Sequence, residues 1–361
     1  MKKTIIVLVF IFTALMCFST GCSKTHEYGT LIAKTDATCT TTGMKAHYKC
    51  IDCDKYFDQD KNEVAYEDLI IAIDANAHEY DTQTPIESLH SVCKVCHAGA
   101  TVADSYSKIV SAINSAEDGA VIYLKAGNYT IITVNKNVDN LIIAGEDGTT
   151  VKSLVVANGS NVNLYNLTFS GSIESDGILV SGSEQDGLNL YNCKFKNTAN
   201  ISGNDNTVVK NLALYNCEFD IGGTNITAIK LRGIDGITLK DNTFTYVPYN
   251  VIQIGEENSV KGDIVITGNR FVHVGSRILY FVKVGVITSC DISGNWFYDN
   301  SEYCNKDTGC YFKISGQGIT IGVNYWENIP DITDDTYFEC VDFDCELTEY
   351  DESAQQSIPI E

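Results

Sequence analysis

A short motif returns through the second half of this chain at nearly constant intervals. It reads LYNLTF (164–169), LYNCKF (190–195), LYNCEF (214–219), LKDNTF (239–244), ITGNRF (266–271), ISGNWF (292–297) and IGVNYW (321–326). The closing aromatics are Phe169, Phe195, Phe219, Phe244, Phe271, Phe297 and Trp326, spaced by 26, 24, 25, 27, 26 and 29 residues. A unit of this length cannot bury its own apolar face, so it must stack on its neighbours. Within each unit apolar and polar residues alternate over short runs, as in Ile229-Lys230-Leu231-Arg232 and Ile264-Val265-Ile266-Thr267. That is the period of a strand, and no helical period competes with it.

Two or three short strands per unit, stacked so that inward side chains form ladders, make a parallel β-helix, here of about nine or ten coils. Leucine-rich repeats share the length, but their leucine spacing and helical half are missing. A propeller blade needs about forty residues or more. The residue two before each closing aromatic is Leu167, Cys193, Cys217, Asn242, Asn269, Asn295 or Asn324. With coils ~4.8 Å apart, the four Asn side chains can hydrogen-bond one above another inside a bend. Cys193 and Cys217 share that column and read as buried structural thiols. Upstream, Tyr106–Ala116 is the best amphipathic helix of the chain, placed to cover the unpaired edge of the first coil.

This helical opening and the Asn-x-Phe coils resemble the pectin-lyase-like right-handed parallel β-helix superfamily over about residues 103–330. The resemblance implies an all-β fold with an N-terminal capping helix. It specifies activity weakly, because the scaffold hosts lyases, hydrolases and adhesins alike.

Residues 1–22 have the texture of an export signal. Lys2 and Lys3 precede an apolar run from Ile5 to Phe18, followed by Ser19-Thr20-Gly21-Cys22. The run falls short of the ~20 apolar residues that span a bilayer. The small residues before Cys22 resemble the lipobox of bacterial lipoproteins, departing from it at Ser19, where that family has Leu. The resemblance implies acylation of Cys22 and a secreted protein held to the cell surface by a lipid anchor; ordinary cleavage nearby is the alternative. The chain carries 47 acidic against 25 basic residues, a net charge of −22. Such a charge argues against nucleic acid as a partner.

Residues 23–100 form a Cys/His-rich region with a partial repeat. Each copy opens on His-Glu-Tyr, at His26 and His78, and carries a Cys-x-x-Cys pair, Cys50 with Cys53 and Cys93 with Cys96. A two-residue spacer turns both sulfurs toward one tetrahedral ion, so structural zinc within residues 26–97 is expected, with disulfides or free thiols as alternatives. Further ligands can come from His26, Cys39 or His47 for the first pair, and from His78, His90 or His97 for the second. The region resembles small Cys-rich modules of surface proteins from anaerobic Gram-positive bacteria, which implies a spacer or accessory role. The closing segment, 331–361, holds eleven acidic residues and no Lys or Arg, and reads as an acidic cap or tail. Cys304 with Cys310, and Cys340 with Cys345, are spaced for local disulfides.

Chemistry on such a scaffold sits on the outer face of a sheet. Aligning strands by their trailing glycines (Gly233, Gly255, Gly285, Gly316) sets Lys230, Gln253, Lys283 and Lys313 in one outward column, with Arg232, Arg277 and Tyr280 nearby. A basic row with tyrosine suits an acidic polysaccharide, whose carboxylates meet the cations and whose rings stack on the aromatic. Contact with such a glycan, from the surface or the diet, is the leading reading. The alternatives are a polysaccharide lyase and a structural spacer or adhesin for a protein partner. β-Elimination from a uronic acid needs a cation, calcium included, to acidify the proton and a base to take it. Lys230, Arg232, Arg277 and Lys283 are the catalytic candidates. The Arg-x-Pro-x-x-Arg and Trp-Ile-Asp-His motifs of pectate lyases and the Gly-His-Gly of polygalacturonases are missing.

Overall fold

A computed structural model describes residues 26–361 apart from 158, 172–177, 181–183, 204–207, 223–226, 248, 255–259, 275–276, 282–284, 299–311, 316–319, 323, 328–337, 342–345 and 348–361. The chain divides into two compact units, one running to Tyr80 and taking in Cys93–Cys96, the other made of Asp81–Val92 with His97 onward. Among the described residues no helix is long and apolar enough to cross a membrane.

The larger unit is a parallel β-solenoid. One sheet of 11 strands runs from Thr101–Ala103 through Val162–Tyr165, Val208–Tyr215 and Val260–Thr267 to Glu346–Leu347. A second sheet of 16 strands has two arms that meet on Thr149–Val156, which pairs with both Thr168–Phe169 and Ile178–Val180. Every pairing inside these sheets is parallel, each strand bonding to its counterpart one coil away, as in Leu188↔Leu212↔Ile237↔Ile264. The motif period is therefore the length of one coil. Six of the closing aromatics, Phe169, Phe195, Phe219, Phe244, Phe271 and Phe297, stack at 4.6–5.1 Å between ring centroids. That spacing is the separation of neighbouring strands.

About six coils are regular in this way, against the nine or ten expected from the period. The earliest strands, such as Val121–Leu124 and Ile142–Gly145, join the sheet without an Asn-x-Phe closure. Conversely, Phe338–Val341 and Glu346–Leu347 extend the two sheets past Trp326, where the motif ends.

The bend before each closing aromatic explains the invariant texture of the repeat. Asn166, Asn192, Asn216 and Asp241 have φ of 53°, 53°, 51° and 57°, and Gly268 and Gly294 take the same place at 67° and 66°. Left-handed backbone is tolerated best by Gly, Asn and Asp, which fill the position in these six coils, while Val323 of the seventh motif lies outside the described residues. The next residue points inward. Asn242, Asn269 and Asn295 are fully buried there, with Cys193 and Cys217 in the same column.

The helix forms at Tyr106–Ser115, and its buried face of Ile109, Ala112 and Ile113 joins the solenoid's apolar interior. A short 3₁₀ turn at Glu87–Ser91 sets Ile86, Leu89 and Val92 against Val121, Ile142 and Ala144 on the outside of the first sheet. Those residues thus fold with the solenoid, although their sequence belongs to the Cys/His-rich stretch.

Candidate functional site

In the smaller unit, each His-Glu-Tyr opening pairs antiparallel with its own Cys-x-x-Cys. Tyr28 bridges Cys50 and Tyr80 bridges Cys93. The same backbone bond recurs in both: Ile51 N–H donates to Glu27 O at 2.9 Å, and Lys94 N–H to Glu79 O at 2.8 Å. The histidine two residues before the tyrosine is thereby delivered to the sulfurs. His26 Nδ1 lies 3.6 Å from Cys50 Sγ and 3.5 Å from Cys53 Sγ, and His78 Nδ1 lies 3.3 Å from Cys96 Sγ.

Two groups result that could hold a metal: His26, Cys50 and Cys53, and Cys39, His78, Cys93 and Cys96, with the ligand atoms of each within 4.8 Å of one another. The chemistry of the donors fits zinc. Ligands of a tetrahedral zinc, at about 2.3 Å for sulfur and about 2.0–2.1 Å for nitrogen, stand roughly 3.8 Å apart as S···S and roughly 3.6 Å apart as S···N. Cys39 Sγ is 3.8 Å from Cys93 Sγ, and the His26 separations match equally well. These cysteines are unbridged.

Thiol ionisation follows the same geometry. Burial pushes Cys50 up, but hydrogen bonds to His26, Cys53 and the backbone at Asp52 and Cys53 bring it down to about 7. Burial likewise opposes ionisation at Cys93, where backbone bonds at Cys96 and Val95 bring it down to about 5. Cys39 is pushed up to about 11 by burial and by hydrogen bonds to Cys96 and Cys93. Each group so contains one readily ionised sulfur, the form that binds a soft cation.

The sequence offered Cys39 to the first pair, which lies nearer along the chain, yet the fold brings it to the second. The other histidines have different tasks. His47 Nδ1 bonds to Lys45 O at 2.8 Å, His90 Nε2 to Thr84 O at 2.8 Å, and the His97 ring stacks 3.7 Å from Tyr123.

On the solenoid, the register sets Lys230 beside Gln253, Gln253 beside Tyr280, and Tyr280 beside Lys313. Tyr280 therefore occupies the rung that the glycine spacing gave to Lys283; the coil of Tyr280 runs further before its glycine, and Lys283 itself lies outside the described residues. The column continues to Glu339 beside Lys313. Arg232 is exposed, two residues past Lys230 on the same strand.

A second row flanks the column. The backbone N–H of Ala228 bonds to Asn250 O, and that of Val251 to Arg277 O, so Asn250 and Arg277 sit on successive coils. Asn250 Nδ2 donates to Gln253 Oε1 at 3.5 Å, and the Arg277 guanidinium lies 4.7 Å over the Tyr280 ring. Among the described residues, Asn250 Oδ1 and Arg277 Nε are buried without a hydrogen-bond partner. Sequence reasoning missed Asn250; its place three residues before Gln253, like Arg277 before Tyr280, was the available signal.

The ladder column lies on the opposite side of the strand layer, inside the core. Asn242, Asn269 and Asn295 each donate a side-chain N–H to the Oδ1 of the next Asn, at 2.9 Å, ending on Asn324. The second N–H of each goes to a carbonyl of the preceding coil: Leu214, Leu239 or Ile266. Cys193 and Cys217 point their thiols at the equivalent carbonyls of Leu164 and Leu190. The expected disulfide positions Cys304, Cys310 and Cys345, and the residue Cys22, lie outside the described residues.

No family model and no curated protein matches the chain. Among solved structures, it is similar to ORF18 of Geobacillus virus E2 at 15% identity with a TM-score of 0.30, covering 66% of this chain and 57% of that one. It is also similar to a mutant of AlyGC, an alginate lyase of family PL6, at 9% identity with a TM-score of 0.25, covering 72% of this chain and 52% of that one. The chain thus spans less than two thirds of either protein.

Proposed function

We propose that this is an exported, lipid-anchored surface protein whose solenoid holds an acidic polysaccharide along the outer column of Lys230, Gln253, Tyr280 and Lys313. One observation carries the reading. Cationic, amide and aromatic side chains stand on successive rungs, and beside them Arg277 Nε and Asn250 Oδ1 are desolvated and, among the described residues, unpaired. Buried polar atoms are costly unless matched, and a bound polyhydroxylated ligand supplies the match. The rungs repeat every ~4.8 Å, so a polymer lying along the ribbon meets a fresh set of contacts at each step.

In this reading the signal segment and Cys22 provide the anchor, Tyr106–Ser115 caps a right-handed ribbon, the acidic segment 331–361 closes it, and zinc braces the Cys/His-rich region. Zinc there would be held by Cys39, His78, Cys93 and Cys96, and would supply cross-linking to a unit with little core of its own. The test is affinity electrophoresis on polygalacturonate, alginate and chondroitin sulfate, with and without calcium, alongside ultraviolet detection of unsaturated ends. Retardation that is lost in a Lys230→Ala/Tyr280→Ala variant supports glycan contact. Unsaturated products would move the reading to a lyase using Lys230, Arg232, Arg277 or Lys283. No retardation by any of the three overturns it in favour of a spacer or adhesin.

A further inference from the structure

The two Cys/His groups are not equivalent. The second is closed: three donors, His78, Cys93 and Cys96, come from one His-Glu-Tyr/Cys-x-x-Cys unit, and the fourth, Cys39, is lent by the unit before it. The first holds the corresponding three donors, His26, Cys50 and Cys53, in the same pairing, and among the described residues no fourth donor joins them. We infer that His26, Cys50 and Cys53 form a second zinc site, of Cys₂His type, whose fourth position takes a small exchangeable ligand such as water, imidazole or a thiol.

Two features carry this beyond a chance grouping. Both S···N separations, 3.6 and 3.5 Å, equal those across a tetrahedral zinc, so the donors are already spaced for the ion. The aromatic surroundings also fix the site: the His26 ring packs 4.9 Å from Phe57, and Phe57 packs edge-on against Tyr28, which itself bridges Cys50. Phe57 is 3% exposed, which makes one wall of the site dry and rigid. Cys53 and His26 are each partly exposed, giving access to a small molecule from the other side. Four protein donors make a zinc structural, whereas three leave room for a water or another ligand. The proposal rests on the zinc reading above and divides it into one bracing site and one accessible site.

Cobalt in place of zinc separates the two. The reduced full chain should bind two Co²⁺ per molecule, falling to one in Cys50→Ser/Cys53→Ser and to one in Cys93→Ser/Cys96→Ser. Imidazole should change the visible absorption of the Cys93→Ser/Cys96→Ser protein and leave that of Cys50→Ser/Cys53→Ser untouched. In the wild type it should change only one of the two contributions, which keeps the test valid if a variant fails to fold. A single Co²⁺ in the wild type, retained in Cys50→Ser/Cys53→Ser, overturns this inference and leaves the bracing site standing. Two Co²⁺ with a spectrum insensitive to imidazole also overturns it, by showing both sites closed. No bound Co²⁺ at all overturns the zinc reading itself.

Discussion

Asn269 Oδ1 accepts two hydrogen bonds from Asn242, one from its backbone N–H and one from its side-chain N–H, both at 2.9 Å. Asn295 Oδ1 does the same for Asn269, and Asn324 Oδ1 for Asn295. The bend of each coil is thus tied to the next by a buried side chain, and the side-chain N–H groups of all four Asn find acceptors.

Removing one link should therefore be expensive. Asn269→Ala leaves the backbone N–H and one side-chain N–H of Asn242 without acceptors and takes the side-chain donor, one of two, from Asn295 Oδ1. Each buried group left unmatched costs ~1–3 kcal/mol, so a loss of about 3 kcal/mol or more is expected from urea unfolding. Asn189→Ala, on the outer face, should cost about 0.5 kcal/mol or less. Equal losses would mean that the ladder adds nothing beyond strand pairing.

The cysteines of the same column give a pH signature. Burial, with the hydrogen bond and charge of Cys193, holds the Cys217 thiol well above the ordinary 9.0. The unfolded chain ionises this thiol first, so its contribution to stability is complete below about pH 9 and is lost as the pH rises toward the folded value. The urea midpoint should fall from about pH 8 to about pH 10, and Cys217→Ala should flatten part of that fall. Tyr123, pushed up to about 12 by burial and by Glu146 and Asp147, acts in the same direction in both proteins and so cancels in the difference. Identical slopes would show that the thiol is ionised in the fold.

Fold and ladder were legible because one coil equals one sequence period. The motif sets a left-handed bend at the residue before the ladder Asn, an inward amide at that Asn and a stacked ring two residues further on, and each demands a narrow choice of residue. The outer column was less legible, because nothing on a solvated face constrains spacing. The coil of Tyr280 lengthens before Gly285, so glycine spacing slipped to Lys283 while hydrogen bonding kept Tyr280 in register. The metal groups were half legible. Cys-x-x-Cys and His-Glu-Tyr are local signals, but the reach of Cys39 to Cys93, 54 residues away, leaves no local trace.

Chelation should act on one unit alone. With zinc bound as proposed, stripping it should remove the restraint on His26, Cys50 and Cys53 and hence on the Tyr28, Tyr48 and Phe57 cluster packed around them. Near-ultraviolet dichroism should weaken with loss of metal, while the far-ultraviolet strand signal, which comes mostly from the solenoid, stays. Cys93→Ser should reproduce part of this, with about one equivalent of zinc lost. Loss of the strand signal on chelation would contradict the division into two separately built units.

The sharpest test of the outer column is the Arg277–Tyr280 pair. The guanidinium lies 4.7 Å over the ring, which supports its plane; in the proposed reading its charge meets a sugar carboxylate. Arg277→Lys keeps the charge but neither the plane nor the forked donors, so it should weaken binding to polygalacturonate nearly as much as Arg277→Ala, by on the order of tenfold. Tyr280→Phe keeps the ring and should bind close to wild type, whereas Tyr280→Ala frees the guanidinium and should resemble Arg277→Ala. Binding should weaken as salt rises, since the attraction of a polyanion to this cluster is ionic while the protein as a whole carries −22. If Arg277→Lys binds as well as wild type, only charge matters, and the stacked geometry of the column has no part in recognition.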